Sequence, residues 1–464
     1  MLNRRLGLIA GACALALTAT ACSGTDDPAP TPTPSPSVTQ TPSEKPKTVV
    51  FGAYGNPDEL KAFDRAVSAF NAASVTRKVE VITWPDHETA LEDILAGKAD
   101  PDVFLTSRID LGQLVENEKI RPVSLLLDER GVDFGDRFSR DAVDAFAFDR
   151  ELQCMAYSVS PMVIYRNTRL VDFEKMERRG LDVPGSNPTR WTFDEFAAAA
   201  QFASRRGNRR GVWIEPSLAG LAPFIYSGGG TVYDDDDEPT SLAFSDDSTR
   251  EALMRVLGLL RDPTVTPTEE QLARATPLQL FKRGKLAMIA GYRDLVPELR
   301  DVDGLEFDVM SMPNLDSQAT VGDISGLCLS ADTDVVGHAA DFIAYMVSDS
   351  AVETVTRAGY IVPANNEISS SSAFHDGRMP ENAEVFTSQI RHLKVAPFIA
   401  DRTALVDAIA PLLEDMLTAP GSLDLEALTE EIDAASRTVL SPESEEEESP
   451  SESPSESPSE SPSD

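Results

Sequence analysis

The sequence lacks the short motifs that mark the commonest enzyme classes. Only four histidines occur in 464 residues, and they form no HExxH pattern, while GxSxG, Walker and Rossmann glycine patterns are missing as well. A pair of carboxylates for glycoside hydrolysis remains an alternative, because 77 acidic residues are present and no pair stands out. The missing motifs favour binding over catalysis, and we expect no cofactor and no metal centre.

Basic residues are also scarce. Lysine and arginine together number 41 against 77 aspartates and glutamates, which gives a formal net charge of −36. So acidic a protein repels phosphate backbones and anionic lipids, and we expect neither nucleic acid nor an anionic membrane surface as a partner. The hydrophobic fraction of 41% is ordinary for a globular protein. Because the length exceeds the size at which a single core stops growing, we expect two lobes.

Apolar runs long enough to span a bilayer are missing, and the N-terminal run, residues 6–21, is too short to do so. Arg4 and Arg5 precede this run, and small residues followed by Cys22 end it. The pattern is typical of an export signal and resembles the lipobox of bacterial lipoproteins, in which the cysteine is acylated. We expect a lipoprotein signal peptide at residues 1–21 and a lipid anchor on Cys22 at the extracellular face of the cytoplasmic membrane. A simple cleaved secretory signal is the alternative.

Two low-complexity segments flank the body of the chain. Residues 22–46 form a Pro/Thr/Ser tract, and residues 441–464 contain acidic SPSE repeats. Neither composition can bury a core. We therefore expect an extended tether at the first segment and a disordered acidic tail at the second.

Two stretches of the body predict passages between lobes. The stretch from Cys154 to Leu170 is rich in β-branched, aromatic and apolar residues and is interrupted at Pro161. A proline in such a run indicates an edge strand or a passage between two sheets. Residues 326–330 have a similar strand pattern about 170 residues later. Together they predict a chain that crosses to a second lobe and later returns.

Strand and helix patterns alternate between Val49 and Glu118. Alternation of this kind predicts a parallel sheet with helices on both faces, in which ligands bind beyond the carboxyl ends of the strands. Further on, a short apolar strand pattern ends at Gly291, and a last helical region is predicted from Ala404 to Leu440. The candidate ligand-binding residues at or beside these strand ends are Tyr54, Trp84, Asp86, Arg108, Tyr292 and Arg293.

Six motifs, taken in order, resemble one family: the extracellular solute-binding proteins that serve carbohydrate ABC importers. The resemblance spans about residues 49–440 and implies an α/β, two-lobe periplasmic-binding-protein-like (Venus flytrap) fold with hinge strands that closes over a sugar. It also implies ABC permease subunits as partners and a monomeric protein. The motifs are PDVF at Pro101, the crossing strand at 157–167, WTFDEF at Trp191, SGGG at Ser227, FKRGKLAMIAGY at Phe281 and AADFIAYMVSDSAVETVTRAGYIVP at Ala339.

The resemblance sets the expected lobe boundaries. We expect residues 47–155 plus 329–364 in the first lobe, and residues 156–328 plus 365–440 in the second. Residues beyond 440 belong to the predicted tail.

A sugar site needs aromatic rings for the C–H faces of the sugar and planar polar groups for its hydroxyls. The resemblance places Tyr292 at a ring-stacking position where the family usually has tryptophan. The alternative is core packing for the aromatic candidates, a solvated charge for the charged ones and a tight turn for the two glycines. Weaker ring candidates are Trp84, Tyr54 and Trp213, candidate hydroxyl binders are Arg108, Asp86 and Arg293, and Gly228 and Gly229 permit close backbone approach. Another polar solute, such as a phosphorylated polyol or a polyamine, is an alternative ligand, and a surface glycosidase is an alternative function.

Cys154 and Cys328 are the two cysteines outside the signal region. Export favours oxidation, and related folds place the two crossing strands side by side, so we expect a disulfide between them. Two buried thiols are the alternative. The acidic run Asp234 to Asp237 lacks the glycine and distal glutamate of an EF-hand, so a solvated turn is preferred to a calcium site.

Overall fold

The computed structural model describes residues 47–74, 77–185, 187, 189–204 and 209–442. The predicted signal peptide, the tether, the lipid-anchor cysteine Cys22 and the tail beyond residue 442 lie outside the described residues. None of the described helices combines the length and the apolar character that a membrane crossing requires.

Strands account for two main sheets and one short hairpin. In chain order the strands are β1 (Lys47–Tyr54), β2 (Arg77–Trp84), β3 (Val103–Ser107), β4 (Ile120–Arg121), β5 (Ala147–Phe148), β6 (Glu151–Leu152), β7 (Cys154–Pro161), β8 (Val163–Asn167), β9 (Arg210–Trp213), β10 (Leu286–Gly291), β11 (Phe307–Met310), β12 (Thr320–Ser330) and β13 (Leu393–Lys394).

Helices cover both main sheets. In chain order they are α1 (Pro57–Ala73), α2 (His87–Leu95), α3 (Leu111–Glu116), α4 (Ser124–Asp128), α5 (Arg140–Asp144), α6 (Phe173–Glu177), α7 (Phe193–Ser204), α8 (Leu218–Ser227), α9 (Asp247–Leu260), α10 (Glu269–Leu272), α11 (Pro277–Lys282), α12 (Leu295–Arg300), α13 (Val336–Met346), α14 (Asp349–Thr356), α15 (Asn366–Ser369), α16 (Glu384–Gln389), α17 (Arg402–Thr418) and α18 (Leu425–Leu440). Short 3₁₀ turns lie at Arg108–Asp110 and Ile390–His392.

The first sheet has the order β13-β12-β3-β1-β2, with β4 and β7 also paired to β12. The parallel arrangement predicted from the sequence holds for β1, β2 and β3. Strand β12, which lies outside the stretch covered by that prediction, is antiparallel to both β3 and β7. The reason is that β12 is the returning strand: the chain leaves this sheet at the end of β7 and re-enters it in the opposite direction.

The second sheet has the order β11-β8-β10-β9. Strand β7 ends at Pro161 in the first sheet and β8 begins at Val163 in the second, so the predicted passage between two sheets at this proline is confirmed. Along β8 the buried side chains alternate between two cores: Ile164 packs with α7, α8 and α17, whereas Val163 and Tyr165 pack on the opposite face. This period of two is what a strand covered on both faces requires.

The first sheet has a core of its own. Helix α1 turns Phe63 and Phe70 toward this core. The Phe63 ring meets Phe51 of β1 edge-on, and the Phe70 ring meets Phe342 of α13. Burying each such ring contributes roughly 1.5–3 kcal/mol. We call the first sheet with its core the first lobe, and the second sheet with its two cores the second lobe.

A disulfide joins the strands by which the chain leaves and re-enters the first sheet. Cys154 of β7 and Cys328 of β12 are direct register partners, with their Cα atoms 4.3 Å apart and both side chains fully buried. The predicted disulfide is therefore confirmed. It closes a loop with a sequence separation of 174, and that loop contains β8 to β11 of the second lobe.

Two helix predictions needed correction. The single helical region predicted from Ala404 is two helices, α17 and α18, because the chain turns between them with Gly421 at a φ of +94°. Helix α8 was not predicted, since Pro223 lies inside it. A proline inside a helix removes a backbone hydrogen bond and destabilises the helix. The Ser217 hydroxyl caps the N-terminus of α8 by accepting from the Gly220 amide at 3.1 Å, which offsets part of this destabilisation.

Candidate functional site

A cavity of about 310 Å³ lies between the two lobes. The first lobe contributes the end of β3, the 3₁₀ turn after it and the first residue of α2. The second lobe contributes α8, the loop residue after β10 and the first residue of α17. Val232 and Tyr233, strand β12, and Lys394 of β13 with the two residues after it complete the wall. This volume lies at the lower end of the range for small-molecule sites.

Arg108 is the predicted candidate from the first lobe that reaches this cavity. It follows β3 directly and is buried, with 6% of its surface exposed. Its Nε donates to the carbonyl of Ala145, its Nη2 donates to the carbonyl of Ala396 at 3.2 Å, and its guanidinium lies 3.9 Å from the ring centre of Phe398. Burial lowers the pKa of Arg108 to about 10, so the group stays charged at neutral pH.

Tyr292 is the predicted candidate from the second lobe that lines the cavity. It follows β10 directly, and its carbonyl accepts a hydrogen bond from the Tyr165 hydroxyl. Burial raises the pKa of the Tyr292 hydroxyl, and the charge of Asp323 raises it further. The residue therefore presents a neutral phenol, which offers a ring face and a hydroxyl that can donate and accept.

Three further candidates from the first lobe are not part of the cavity wall. Trp84 is buried in the first lobe, where its Nε1 donates to Asp93 at 3.0 Å. Tyr54 is half-buried with its ring centre 5.9 Å from that of His87, which does line the cavity. Asp86 caps α2 by accepting from the Thr89 amide at 2.8 Å. A ligand-binding role for these three stays a prediction.

The remaining candidates are not part of the cavity wall. Trp213 is the last residue of β9 and packs at the edge of a core. Gly228 ends α8, and Gly229 follows it with a φ of +85°. Arg293 is 1% exposed, and its guanidinium lies 4.5 Å from the ring centre of Phe374. The structure thus brings two of the nine candidates, Arg108 and Tyr292, into one cavity wall.

The sequence analysis missed two lining residues, His87 and Asp323, and the Asp110 carboxylate that contacts His87. His87 Nδ1 lies 2.8 Å from Asp110 Oδ2. Burial lowers the pKa of His87, but the hydrogen bond to Asp110 and the nearby carboxylates outweigh it and leave that pKa raised. Asp323 of β12 also lines the cavity, and burial raises its pKa. His87 directly follows a predicted strand end, so it could have been found, whereas nothing local marks Asp323.

A second missed group consists of two tyrosines and two basic residues. Tyr226 and Tyr233 line the cavity together with Lys394 and Arg402. The Nζ of Lys394 lies 5.8 Å from the ring centre of Tyr226. Arg402 acts on the Tyr233 hydroxyl through its charge and through a side-chain hydrogen bond. Tyr226 directly precedes the SGGG motif and Tyr233 the acidic run, which were usable signals, but Lys394 and Arg402 come from parts of the chain that no pattern marked.

The wall offers tyrosine rings from the second lobe and hydrogen-bonding side chains from both lobes. Rings together with hydrogen-bonding groups are the combination that a carbohydrate requires. Among the residues that the structure describes, no group of three or more His, Cys, Asp or Glu is arranged to hold a metal ion. In the acidic run, the carboxylates of Asp234 and Asp235 accept amide hydrogens of their own loop, including that of Thr240 at 2.9 Å from Asp234 Oδ1.

Solved structures share this fold. An ABC substrate-binding protein, Lmo0181 from Listeria monocytogenes in complex with cycloalternan, superposes with a TM-score of 0.73 at 21% identity over 85% of this chain and 99% of that one. The GacH receptor of Streptomyces glaucescens gives 0.69 at 17% identity over 86% and 99%. The maltotriose-binding protein of Thermus thermophilus gives 0.66 at 17% identity over 84% and 100%. The predicted α/β, two-lobe periplasmic-binding-protein-like fold is confirmed.

No curated protein sequence matches this chain. A family model described as bacterial extracellular solute-binding protein matches residues 65–381, which is more than half of the sequence. Family and fold are both those of binding proteins. The chain belongs to the bacterial extracellular solute-binding proteins.

Proposed function

We propose that this protein is a lipid-anchored receptor that captures a carbohydrate between its two lobes and presents it to the permease of an ABC importer. The observation that carries the proposal is the cavity itself, in which Tyr292, Tyr226 and Tyr233 offer ring faces while Arg108 and Asp323 offer fixed polar groups. Sugars bind through both kinds of contact at once.

Related structures support a saccharide as the ligand. The Listeria protein was solved with cycloalternan, the Streptomyces receptor with acarbose and an acarbose homologue, and the Thermus protein with maltotriose. Three relatives with the same fold thus bind oligosaccharides. A phosphorylated polyol or a polyamine remains an alternative solute, and a surface glycosidase is disfavoured because family and fold belong to binding proteins.

The position of the cavity suggests how binding would be coupled to closure. Arg108 belongs to the first lobe and Tyr292 to the second, and both line the same cavity. A ligand that contacts both side chains binds the closed arrangement better than an open one, so it shifts the population toward closure. The strands between the lobes, β7 leading into β8 and β12, would act as the hinge.

A thermal-shift screen with purified protein tests the proposal. We expect at least one mono- or oligosaccharide to raise the melting temperature, because a ligand that binds only the native state stabilises it. Amines and sugar-free polyols serve as comparison sets. A shift from these sets alone, with none from any saccharide, would reject the carbohydrate proposal, and release of a shortened sugar would favour the glycosidase alternative.

Tyr292 provides the second test. Replacing Tyr292 by alanine should weaken saccharide binding by about five- to 150-fold, which corresponds to about 1–3 kcal/mol, because the ring face is lost. Tyr292→Trp should retain binding, since the wider ring keeps that face. Tyr360→Ala, at a half-buried tyrosine outside the cavity wall, is the matched control. Calorimetry with the saccharide from the screen decides: unchanged affinity in a folded Tyr292→Ala protein would remove this residue from the site.

The lipid anchor is tested separately. Wild-type protein expressed in a bacterial host should partition into detergent and carry acyl chains on Cys22, whereas Cys22→Ser should be released in soluble form. Mass analysis of both proteins checks this. A wild-type protein without acyl chains, or a variant that stays membrane-bound, contradicts the anchor.

A further inference from the structure

Three basic side chains line the cavity and form no ion pair with any carboxylate of the described residues. They are Arg108, Lys394 and Arg402. Within the described part of the chain, none of the three has a carboxylate oxygen within 4.0 Å. This is unexpected, because acidic residues outnumber basic ones by 77 to 41. Other arginines of the second lobe, such as Arg255 with Asp316 at 2.5 Å, do form ion pairs.

The three cations gather around two phenols. Burial raises the pKa of the Tyr233 hydroxyl, and Arg402 followed by Arg108 partly offsets that rise, so both guanidinium groups lie near this hydroxyl. Lys394 lies over the ring of Tyr226. We call these five residues the basic end of the cavity. Because all five line the same cavity, the charge of the three cations acts on whatever occupies it.

Arg108 shows why this charge matters. Its Nε and Nη2 donate to the carbonyls of Ala145 and Ala396, which satisfy two of its five N–H donors but carry no negative charge. A buried cation without a counter-ion is costly, and an anion placed beside it recovers part of that cost. Charge-assisted hydrogen bonds are also roughly twice as strong as neutral ones.

Two further ionisable groups, Asp323 and His87, line the same cavity. The charge of Asp323 acts on the hydroxyls of Tyr54 and Tyr292, and His87 Nδ1 lies 2.8 Å from Asp110 Oδ2. Asp236 acts on the Tyr226 hydroxyl but forms no ion pair with the three cations among the described residues. A ligand with one acidic group would therefore bind with that group beside the three cations and away from the Asp323 carboxylate.

We infer that the captured saccharide carries an acidic group, a carboxylate or a phosphate, which Arg402 and Lys394 bind directly and which the charge of Arg108 attracts. This inference rests on the proposed function and narrows its substrate class. Neutral hydroxyls can be bound by uncharged side chains and backbone groups and do not require charged donors, so three cations that form no ion pair among the described residues point to an anionic oxygen group.

The test compares sugars that differ only in charge. Glucose, galactose and mannose are each measured by calorimetry beside their uronate, 6-phosphate and 2-amino forms. We expect the uronate or the 6-phosphate of at least one sugar to bind ten-fold or more tightly than its neutral parent, with an affinity that falls as salt rises. The uronate and phosphate arms distinguish the two sources of negative charge.

Arg402→Gln then identifies the residue responsible. It should weaken binding of the acidic form by about 10- to 100-fold and that of the neutral parent by less than about three-fold. Arg255→Gln, which removes an exposed paired arginine of the same lobe, should change neither. Unchanged melting temperatures without ligand show that the variants are folded.

Three outcomes overturn the inference and leave the carbohydrate proposal in place: neutral parents that bind as tightly as the acidic forms, preference for the amino forms, or equal weakening of neutral and acidic sugars by Arg402→Gln. Failure of every saccharide to bind, whatever its charge, would instead reject the proposed function on which the inference rests.

Discussion

Glu59 makes the stability of this protein depend on pH. The residue lies in the first turn of α1 and is half-buried. Burial raises its pKa from 4.5 to about 8; the Asn56 amide, which donates to it, opposes the rise, and the charges of Asp294 and Asp323 add to it. At neutral pH the folded protein therefore holds Glu59 largely protonated, whereas the unfolded chain ionises it.

The sign of the effect follows from this difference. A folded-state pKa above the unfolded one means that the contribution to stability is complete below about pH 4.5 and is lost as the pH rises to about 8. A pKa shift of this size corresponds to a contribution of at most about 4–5 kcal/mol to the free energy of unfolding. Solvent screening at the half-buried side chain reduces this contribution to a few kcal/mol. Glu59→Gln cannot ionise, so it should be more stable than wild type at pH 9 and similar at pH 4.5.

Guanidinium unfolding at pH 4.5, 6, 7.5 and 9 measures this prediction. The difference in unfolding free energy between Glu59→Gln and wild type should grow steadily across the series. Asp58→Asn is the matched control, since Asp58 is an exposed neighbour whose pKa is lowered by its hydrogen bond to Lys61. Parallel pH curves for Glu59→Gln and wild type would show that Glu59 is ionised in the folded protein and would refute the reasoning.

Two further predictions concern the framework. Replacing both Cys154 and Cys328 by alanine should lower the unfolding free energy by up to about 5 kcal/mol, because a loop with a separation of 174 is no longer closed in the unfolded chain; an unchanged denaturation midpoint would contradict this. Gly211→Ala should lower the unfolding free energy by about 1–3 kcal/mol, since the added Cβ would lie 2.1 Å from the Ala200 carbonyl oxygen. Gly258→Ala, in exposed helix with nothing within 4 Å, should stabilise by about 0.5–1 kcal/mol, and the opposite order of melting temperatures would show that both packing arguments fail.

The parts of the site that the sequence predicted are those that directly follow a strand. Arg108 comes after β3 and Tyr292 after β10, and the ends of such strands converge on the space between the lobes. Trp84 also ends a strand, but Gly52 on the neighbouring strand leaves room for its ring, and a Cβ there would lie 2.6 Å from it. The tryptophan therefore turns into the first lobe, and a pattern along one strand cannot reveal the space beside it.

The basic end of the cavity could not be predicted for a different reason. More than 100 residues separate Arg108 from Tyr226, and more than 100 again separate Tyr226 from Lys394 and Arg402. These residues meet because the chain returns to both lobes. Asp323 likewise gains its place from the register of β12 against β7. Hydrophobic periodicity reports which face of an element is buried, but not which distant polar residues that face will meet.

The disulfide divides the second lobe into a part inside a closed covalent ring and a part outside it. Residues 154–328 form a closed ring that includes β8 to β11, whereas α17 and α18 lie outside it. A single proteolytic cut inside the ring leaves one covalent molecule until a reductant is added. A cut between Cys328 and Arg402 separates both C-terminal helices from the covalent body, and only their packing against that body retains them. Limited proteolysis without reductant would thus report selectively on how firmly the two C-terminal helices are held.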